Sequence, residues 1–271
     1  MKRTIALVTD FGHKNAYSGI MKGVIWSINP EANIADLSHG IDPGDISEAF
    51  YILKESIDYF PVGTVFVCVV DPGVGSSRRI IAIDCQKKII LVPDNGIASL
   101  LFSKICKSDT KIYSITNKEY YLDKVSNTFH GRDIFAPVAA WISSGAELEK
   151  IGEEADPDSL VNFELSEICI MDDGSIEGQV VRIDGFGNLI TNIRGEYLKN
   201  INAFESLIIV GKEIMIRAVA DFYANAKENE PTVLVGSSGY LELAVKDCSA
   251  EKILLIGKGS RVVLRLGIND K

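Results

Sequence analysis

Apolar positions along the chain fall into two textures. In the first half, short apolar runs alternate with stretches of helical spacing. The run Thr4–Thr9 ends in Asp10-Phe11-Gly12, and Tyr17–Ile28 then places apolar side chains every three to four residues before Asn29-Pro30 stops it. Residues 34–37 form a second strand. Residues 46–59 form a second helix with Asp45 placed to cap it and Pro61-Val62-Gly63 breaking the chain behind it. Residues 64–70 are almost continuously apolar, as a strand buried on both faces requires. Two more strands, 80–84 and 89–92, flank the turn Gln86-Lys87-Lys88, and a helix over 133–141 stops near Gly145. Strands alternating with helices predict an α/β unit: a mainly parallel sheet sandwiched by helices.

From Glu164 onward helical periodicity fades, apart from a short stretch over 219–226. Short β-runs take over at 178–183, 189–192, 206–210, 232–236, 253–256 and 261–266. Turn residues such as Asp172-Asp173-Gly174 and Asp184-Gly185-Phe186-Gly187-Asn188 separate them. This pattern predicts a second, small all-β domain, a barrel or a sandwich. The acidic, proline-containing stretch 152–158 reads as the linker, which divides the chain into domains 1–155 and 164–271.

Charge and composition narrow the possibilities. Among 271 residues, 28 Lys and Arg face 37 Asp and Glu, a net charge of −9, which argues against nucleic acid as a partner. A cationic small molecule remains compatible with that balance. No apolar stretch approaches a membrane span, and the opening apolar run meets Asp10 too soon for a signal peptide, so the expected location is the cytoplasm. The five cysteines (Cys68, Cys85, Cys106, Cys169 and Cys248) are odd in number and scattered, three of them in apolar runs, and the expected state is reduced, buried thiols.

In open α/β sheets ligands gather at the carboxyl ends of the strands, and several polar segments fall there. Asp10 ends the first strand. Asp71-Pro72-Gly73-Val74-Gly75-Ser76-Ser77-Arg78-Arg79 crowds an acid, a glycine-rich turn and two arginines behind residues 64–70, but lacks both nucleotide-binding glycine signatures. Pro93-Asp94-Asn95-Gly96 and Thr128-Phe129-His130-Gly131-Arg132-Asp133 are two more such segments. His130 fits a helix cap or a packed residue as well as a catalyst, and Asp10 fits a plain turn as well as a ligand contact. His13, His39 and His130 have no ligand spacing, so no metal is expected, and no Gly-x-Ser-x-Gly elbow is present. Gly236-Ser237-Ser238-Gly239-Tyr240-Leu241-Glu242 reads either as a hairpin or as an amino-acid site, with hydroxyls and open backbone for a carboxylate and Glu242 for an ammonium.

Together these segments resemble the S-adenosyl-L-methionine hydroxide adenosyltransferases, a family related to the fluorinase and chlorinase enzymes. The carriers are Thr9-Asp10-Phe11-Gly12, Val70-Asp71-Pro72-Gly73-Val74-Gly75, Pro93-Asp94-Asn95-Gly96, Phe129-His130-Gly131-Arg132-Asp133, Phe186-Gly187-Asn188 with Thr191-Asn192, and Ser238-Gly239-Tyr240-Leu241-Glu242. They stand in the family's order across nearly the whole chain. The resemblance implies an α/β N-terminal domain, a C-terminal β-barrel and a homotrimer with active sites between subunits. It also implies hydrolysis of S-adenosylmethionine to adenosine and L-methionine without a cofactor. The family's Asp–Arg–His set falls on Asp71, Arg78 and His130, and its ribose-binding acid on Asp10. Asp184, Phe186 and Asn188 match its adenosine-binding turn, and Ser237, Ser238, Glu242 and Val245 match the segment that meets the methionine or adenine end. Two departures stand out: Asn15, near the methionine amine, where relatives carry Asp, and Gly236 with Lys246-Asp247-Cys248 in place of Asn-rich residues.

The implied chemistry is coherent. Attack at ribose C5′ expels methionine as a neutral thioether, so no acid has to protonate the leaving group. What is left is to orient water in line with the C5′–S bond, and such positioning is worth up to ~7–11 kcal/mol. Asp71 or His130 takes the proton, with Arg78 fixing the carboxylate and keeping it ionised. A halogenase shares scaffold and substrate but needs a halide beside Asp71, where like charges repel. A non-catalytic S-adenosylmethionine-binding module has no use for Asp71, Arg78 and His130 together.

Overall fold

A computed structural model of the chain describes residues 3–106, 109–198, 204–212 and 214–267. The chain divides into two compact units, Met1–Glu164 and Leu165–Lys271.

The first unit is built in the order β1 (Thr4–Thr9), α1 (Tyr17–Ile28), β2 (Asn33–Ser38), α2 (Ile46–Ser56), β3 (Val65–Val69), β4 (Ile80–Cys85), β5 (Lys88–Pro93), α3 (Ile97–Lys104), β6 (Lys111–Ile115), α4 (Ala136–Ser143), α5 (Leu148–Ile151) and β7 (Gly152–Glu154). Its seven strands lie in the order β2-β1-β3-β5-β4-β6-β7. The pairs β2/β1, β1/β3 and β3/β5 are parallel, and β4 and β7 run against the rest, so the sheet is mainly parallel as expected. Every residue of β3 is buried, the burden of a central strand covered on both faces. Ile5, Leu7, Val65 and Val67 pack with Met21 and Ile25 of α1 and with α4, while α2 and α3 pair over the other face.

Local chemistry explains most element ends. The Asp45 carboxylate accepts the Glu48 N–H at 2.8 Å and starts α2. The helix expected over 46–59 keeps its α-form to Ser56 and tightens into a 3₁₀ turn over Ile57–Tyr59. The helix expected over 133–141 opens instead as a π-turn, Gly131–Phe135, before continuing as α4. Residues 152–154 are not a free linker: they pair with β6 as the edge strand β7, and a Cβ on Gly152 would sit 2.2 Å from the Ser114 carbonyl oxygen. Helix α3 and strand β6 had no clear signal, because both are short and carry mixed apolar and polar residues.

The second unit runs β8 (Cys169–Ile170), β9 (Ile176–Ile183), β10 (Leu189–Arg194), β11 (Phe204–Ile209), β12 (Ile214–Ile216), β13 (Ala218–Val219), β14 (Pro231–Val235), β15 (Tyr240–Val245), α6 (Ala250–Leu254) and β16 (Arg261–Leu266). The strand order β12-β11-β16-β9-β10-β15-β14-β13, with β12 returning beside β14, makes a nearly closed barrel-like sheet around Val180, Leu189, Leu207, Val233, Leu243 and Leu264. Residues 253–256, expected as a strand, belong to the end of α6 and the chain behind it, because the Ser249 hydroxyl accepts the Lys252 N–H and starts a helix. The helical stretch expected over 219–226 is a strand end at Val219 and a 3₁₀ turn over Tyr223–Asn225.

The expectation of reduced thiols fails at one pair. Cys85 closes β4 and Cys106 follows α3, and the fold brings their Cα atoms to 5.5 Å as a disulfide. That proximity is tertiary and leaves no mark on the sequence. Cys68, Cys169 and Cys248 are free. No helix among the described residues is long and apolar enough to cross a membrane.

Candidate active site

Two carboxylates leave adjacent parallel strands at the same end of the sheet. Thr9 pairs with Val69, so Asp10 follows β1 where Asp71 follows β3. Asp10 Oδ2 accepts the Gly44 N–H at 2.9 Å, and a Cβ on Gly44 would touch Pro72. Thr9 is tied to His39 by a 2.8 Å hydrogen bond, and the His39 carbonyl accepts the Gly12 N–H, which holds the Asp10 turn from both sides. Beneath the two acids lies the Cys68 thiol, whose pKa is pushed well up by burial and further by the negative charges of Asp10 and Asp71. Asn15 is exposed on the segment that leads into α1.

Asp71, Arg78 and His130 meet in one hydrogen-bonded set. Arg78 Nε donates to Asp71 Oδ1 at 2.9 Å and to Oδ2 at 2.8 Å, and Nη2 also pairs with Oδ2. The same Nη2 lies 2.9 Å from His130 Nδ1. The two charged side chains are only 4% and 8% exposed, so the pair is largely shielded from solvent. A guanidinium can only donate, so the His130 Nδ1 facing it carries the lone pair. In a neutral ring the other nitrogen then carries the proton. Burial and the neighbouring Arg78 charge hold His130 below the ordinary imidazole range, so the ring is neutral at physiological pH. The Phe135 ring, 5.8 Å from the Arg78 guanidinium carbon, closes the back of the set.

The glycine-rich turn serves geometry. Gly75 has φ +81°, and a Cβ there would stand 2.2 Å from the Asn127 carbonyl oxygen. Only glycine meets both demands. Gly75→Ala is therefore expected to cost about 1–3 kcal/mol in stability and to lower kcat by displacing Arg78, checked by urea denaturation alongside steady-state kinetics. Neighbouring residues anchor the same turn. Asn95 donates to the Val70 carbonyl at 2.9 Å, just ahead of Asp71. Arg79 turns away from Arg78 to pair with Asp94, and both hold the chain at Ser159 and Val161.

In the second unit Asp184 organises its own turn. Its carboxylate accepts the Phe186 and Asn188 N–H groups and the Asn188 carboxamide, all at 2.9 Å. This Asx-type turn leaves Phe186 83% exposed. Glu242 is buried on β15, accepts the Tyr223 hydroxyl at 2.6 Å, and lies so close to Gly236 that a Cβ there would meet Glu242 Oε1 at 1.6 Å. The Gly236 departure thus makes room for Glu242. The reading of the sequence did not single out Tyr223; its pKa is raised by burial, then by Glu242 and Asp184. Ser237 is exposed in the β14–β15 turn, while Ser238 Oγ is buried and unpartnered. Val245 packs its side chain into the barrel core, which leaves only its backbone for a ligand. Among the described residues, one acidic cluster, Asp42, Asp45 and Glu48, has the spacing to hold a cation, and it is the start of α2, with Asp45 capping and Glu48 accepting the Asp42 N–H.

The fold is that of an α/β enzyme, and it brings a carboxylate, a guanidinium and an imidazole into one hydrogen-bonded set. The family description "SAM hydroxide adenosyltransferase N-terminal domain" matches residues 5–152, and its C-terminal counterpart matches residues 178–263. The chain belongs to this SAM hydroxide adenosyltransferase family. It is 34% identical over 264 residues to "(R)-S-adenosyl-L-methionine hydrolase" of Methanocaldococcus jannaschii, covering 92% of this chain and 91% of that one. It superposes with TM-score 0.87 and 32% identity on the crystal structure of an uncharacterised conserved protein from Thermotoga maritima, covering 96% and 99%. The fluorinase of Actinopolyspora mzabensis is more distant, at 24% identity and 89% of each chain.

Proposed function

We propose that this chain hydrolyses S-adenosyl-L-methionine to adenosine and L-methionine, with Asp71 receiving the proton of the attacking water. The observation that carries the assignment is the closed Asp71–Arg78–His130 set in a chain whose relatives over nearly full length are named hydrolases of this substrate. Water oxygen bonds to C5′, and the C5′–S electron pair stays on sulfur, giving neutral methionine. The water proton passes to Asp71 and then to solvent. His130 is poorly placed to be the base, because its Nδ1 lone pair is taken by Arg78 and its other nitrogen already carries a proton. Asp71 keeps acceptor capacity: Oδ1 receives only Arg78 Nε among the contacts described, and a carboxylate oxygen takes more than one donor.

The remaining contacts are part of the same proposal. Asp10 holds the ribose hydroxyls and Asn15 lies toward the methionine amine. Phe186 and Asn188 take adenosine on the turn that Asp184 braces, while Ser237, Ser238, Glu242 and the Val245 backbone meet the other end of the substrate. The chain works as a cytoplasmic homotrimer with sites between subunits. A halide in place of water would sit against the Asp71 carboxylate. At about 4 Å and intermediate dielectric that repulsion is about 4 kcal/mol, which favours water.

The test is turnover in halide-free buffer made with H₂¹⁸O, with the R and S sulfonium epimers supplied separately. Adenosine carrying ¹⁸O at the 5′ position, with equimolar methionine, is the expected result. Intact substrate, or a 5′-halo product on adding chloride, overturns it.

The state of His130 also sets a pH profile. Activity is expected to hold as pH falls through the ordinary histidine value of about 6.5 and to decline only below it. A depressed histidine pKa lends stability above the unfolded value, and that stability is lost as pH falls toward the folded one. Profiles of kcat and of denaturation midpoint between pH 5 and 8 check both limbs.

A further inference from the structure

We propose that His39 and Thr9 are positioning residues for ribose recognition: they fix the turn that carries Asp10, and so set the preference for a ribonucleoside over its deoxy forms. The inference rests on the reading above that Asp10 holds the ribose hydroxyls, and it assigns two residues that touch no substrate a part in choosing it.

Asp10 stands between two anchored neighbours. Ahead of it Thr9 is fully buried, with its hydroxyl 2.8 Å from His39 Nδ1. Behind it Gly12 donates its N–H to the His39 carbonyl at 2.7 Å, and the Phe11 N–H turns back onto Thr9 Oγ1 at 3.3 Å. One residue thus grips the chain on both sides of Asp10, by its ring and by its backbone. His39 reaches this place through a slip in the sheet. Leu7 of β1 pairs with Asp36 of β2, but the next residue, Val8, pairs with Ser38. Without that one-residue shift Ser38 would stand beside Thr9; with it, His39 does. His39 is 2% exposed, and its Nε2 lies 3.0 Å from Asp36 Oδ1 without hydrogen-bond alignment, so the Thr9 hydroxyl is the aligned partner of the ring. Removing either member leaves the other without that partner in the interior, which is costly unless the turn shifts.

The placement of the turn matters because of what the Asp10 carboxylate has left to offer. Oδ2 accepts the Gly44 N–H at 2.9 Å, and among the described residues no donor reaches Oδ1. An ionised carboxylate only accepts, so its ligand must bring O–H donors, and a ribose diol brings two on adjacent carbons. Such bonds weaken steeply with misalignment. A site built to bond a hydroxyl rejects the analogue that lacks it, because its own polar group is then left unpaired. An Asp10 turned out of line loses that discrimination, while the parts of the nucleoside that Asp10 does not touch keep their contacts.

The experiment measures calorimetric Kd values for adenosine and 2′,3′-dideoxyadenosine on the full chain, with folding checked by circular dichroism. The parent is expected to bind adenosine about 10–100-fold more tightly, the range of a lost hydrogen bond to a charged group. Thr9→Val keeps the shape but removes the hydroxyl, and His39→Leu removes the ring nitrogens. Each should weaken adenosine by about tenfold and leave dideoxyadenosine within about twofold, so that the preference collapses. Thr9→Ser and His39→Asn, which keep a polar atom in place, should restore most of it. A merely structural role would weaken both nucleosides alike. Parent-like preference in both Thr9→Val and His39→Leu, or equal weakening of the two ligands, overturns the proposal, while an Asp10→Ala variant without preference leaves the Asp10 reading standing. A parent protein that binds both nucleosides alike, or neither, brings down the Asp10 reading itself and this inference with it. If His39→Leu fails to fold, the two Thr9 variants decide by the same ratio.

Discussion

Asp71→Asn is expected to lower kcat for S-adenosylmethionine hydrolysis by about 10²–10⁴-fold, the range lost when a positioned proton acceptor is removed. The substitution keeps shape and volume but turns one acceptor oxygen into an NH₂ group. At least one of Arg78's donors then faces another donor, and the guanidinium stays buried without its counter-charge. Breaking a buried pair in this way costs about 3–5 kcal/mol, so the denaturation midpoint should fall as well. Single-turnover kinetics on the folded fraction separate the two effects. A variant that lost stability yet kept its single-turnover rate would show Asp71 to be structural only.

Arg78→Lys, which retains the charge, is expected to lower kcat by about 10–100-fold. The arginine satisfies both Asp71 oxygens and His130 Nδ1 from one planar group. An ammonium is a point charge without that fork, so it can keep the ion pair or reach the imidazole but cannot hold the planar geometry of both. Losing one charge-assisted hydrogen bond is worth about 1.5–3 kcal/mol, which matches the expected range. The measurement is kcat with His130 titration. In the variant His130 should still titrate below the ordinary imidazole value, since burial and a positive neighbour, the two causes that depress it, are both kept.

Much of the first unit was legible because a buried parallel strand and an amphipathic helix each leave a period in the sequence. The runs Thr4–Thr9 and Tyr17–Ile28 stand where the pattern placed them. The pattern misled where a polar cap decided the outcome: Ser249 converts residues that look like a strand into α6, and the π-turn at Gly131 advances the start of α4's helical segment. Of the site, Asp71 and Arg78 were readable because seven positions and a glycine-rich turn separate them. His130 stands 52 positions beyond Arg78, and only the resemblance joined it to them. The grip of His39 on Thr9 was hidden, since it joins neighbouring strands through a register shift that leaves no mark on the sequence. The Cys85–Cys106 pairing was hidden for a similar reason: only the packing of α3 against the end of β4 brings the two together.

Cys68, lying under Asp10 and Asp71 at the centre of the sheet, is a built-in clock for local unfolding. Cys169 and Cys248 are exposed and Cys85 is tied to Cys106, so a thiol reagent meets two fast sites and one slow one among the free cysteines. Burial keeps the Cys68 thiol protonated, and an alkylating agent can reach it only when β3 separates from a neighbour or the helices lift off. In the regime where closing outpaces alkylation, its labelling rate reports the free energy of that opening directly. The end of the sheet that bears Asp10 and Asp71 thus carries its own gauge of how often it comes apart.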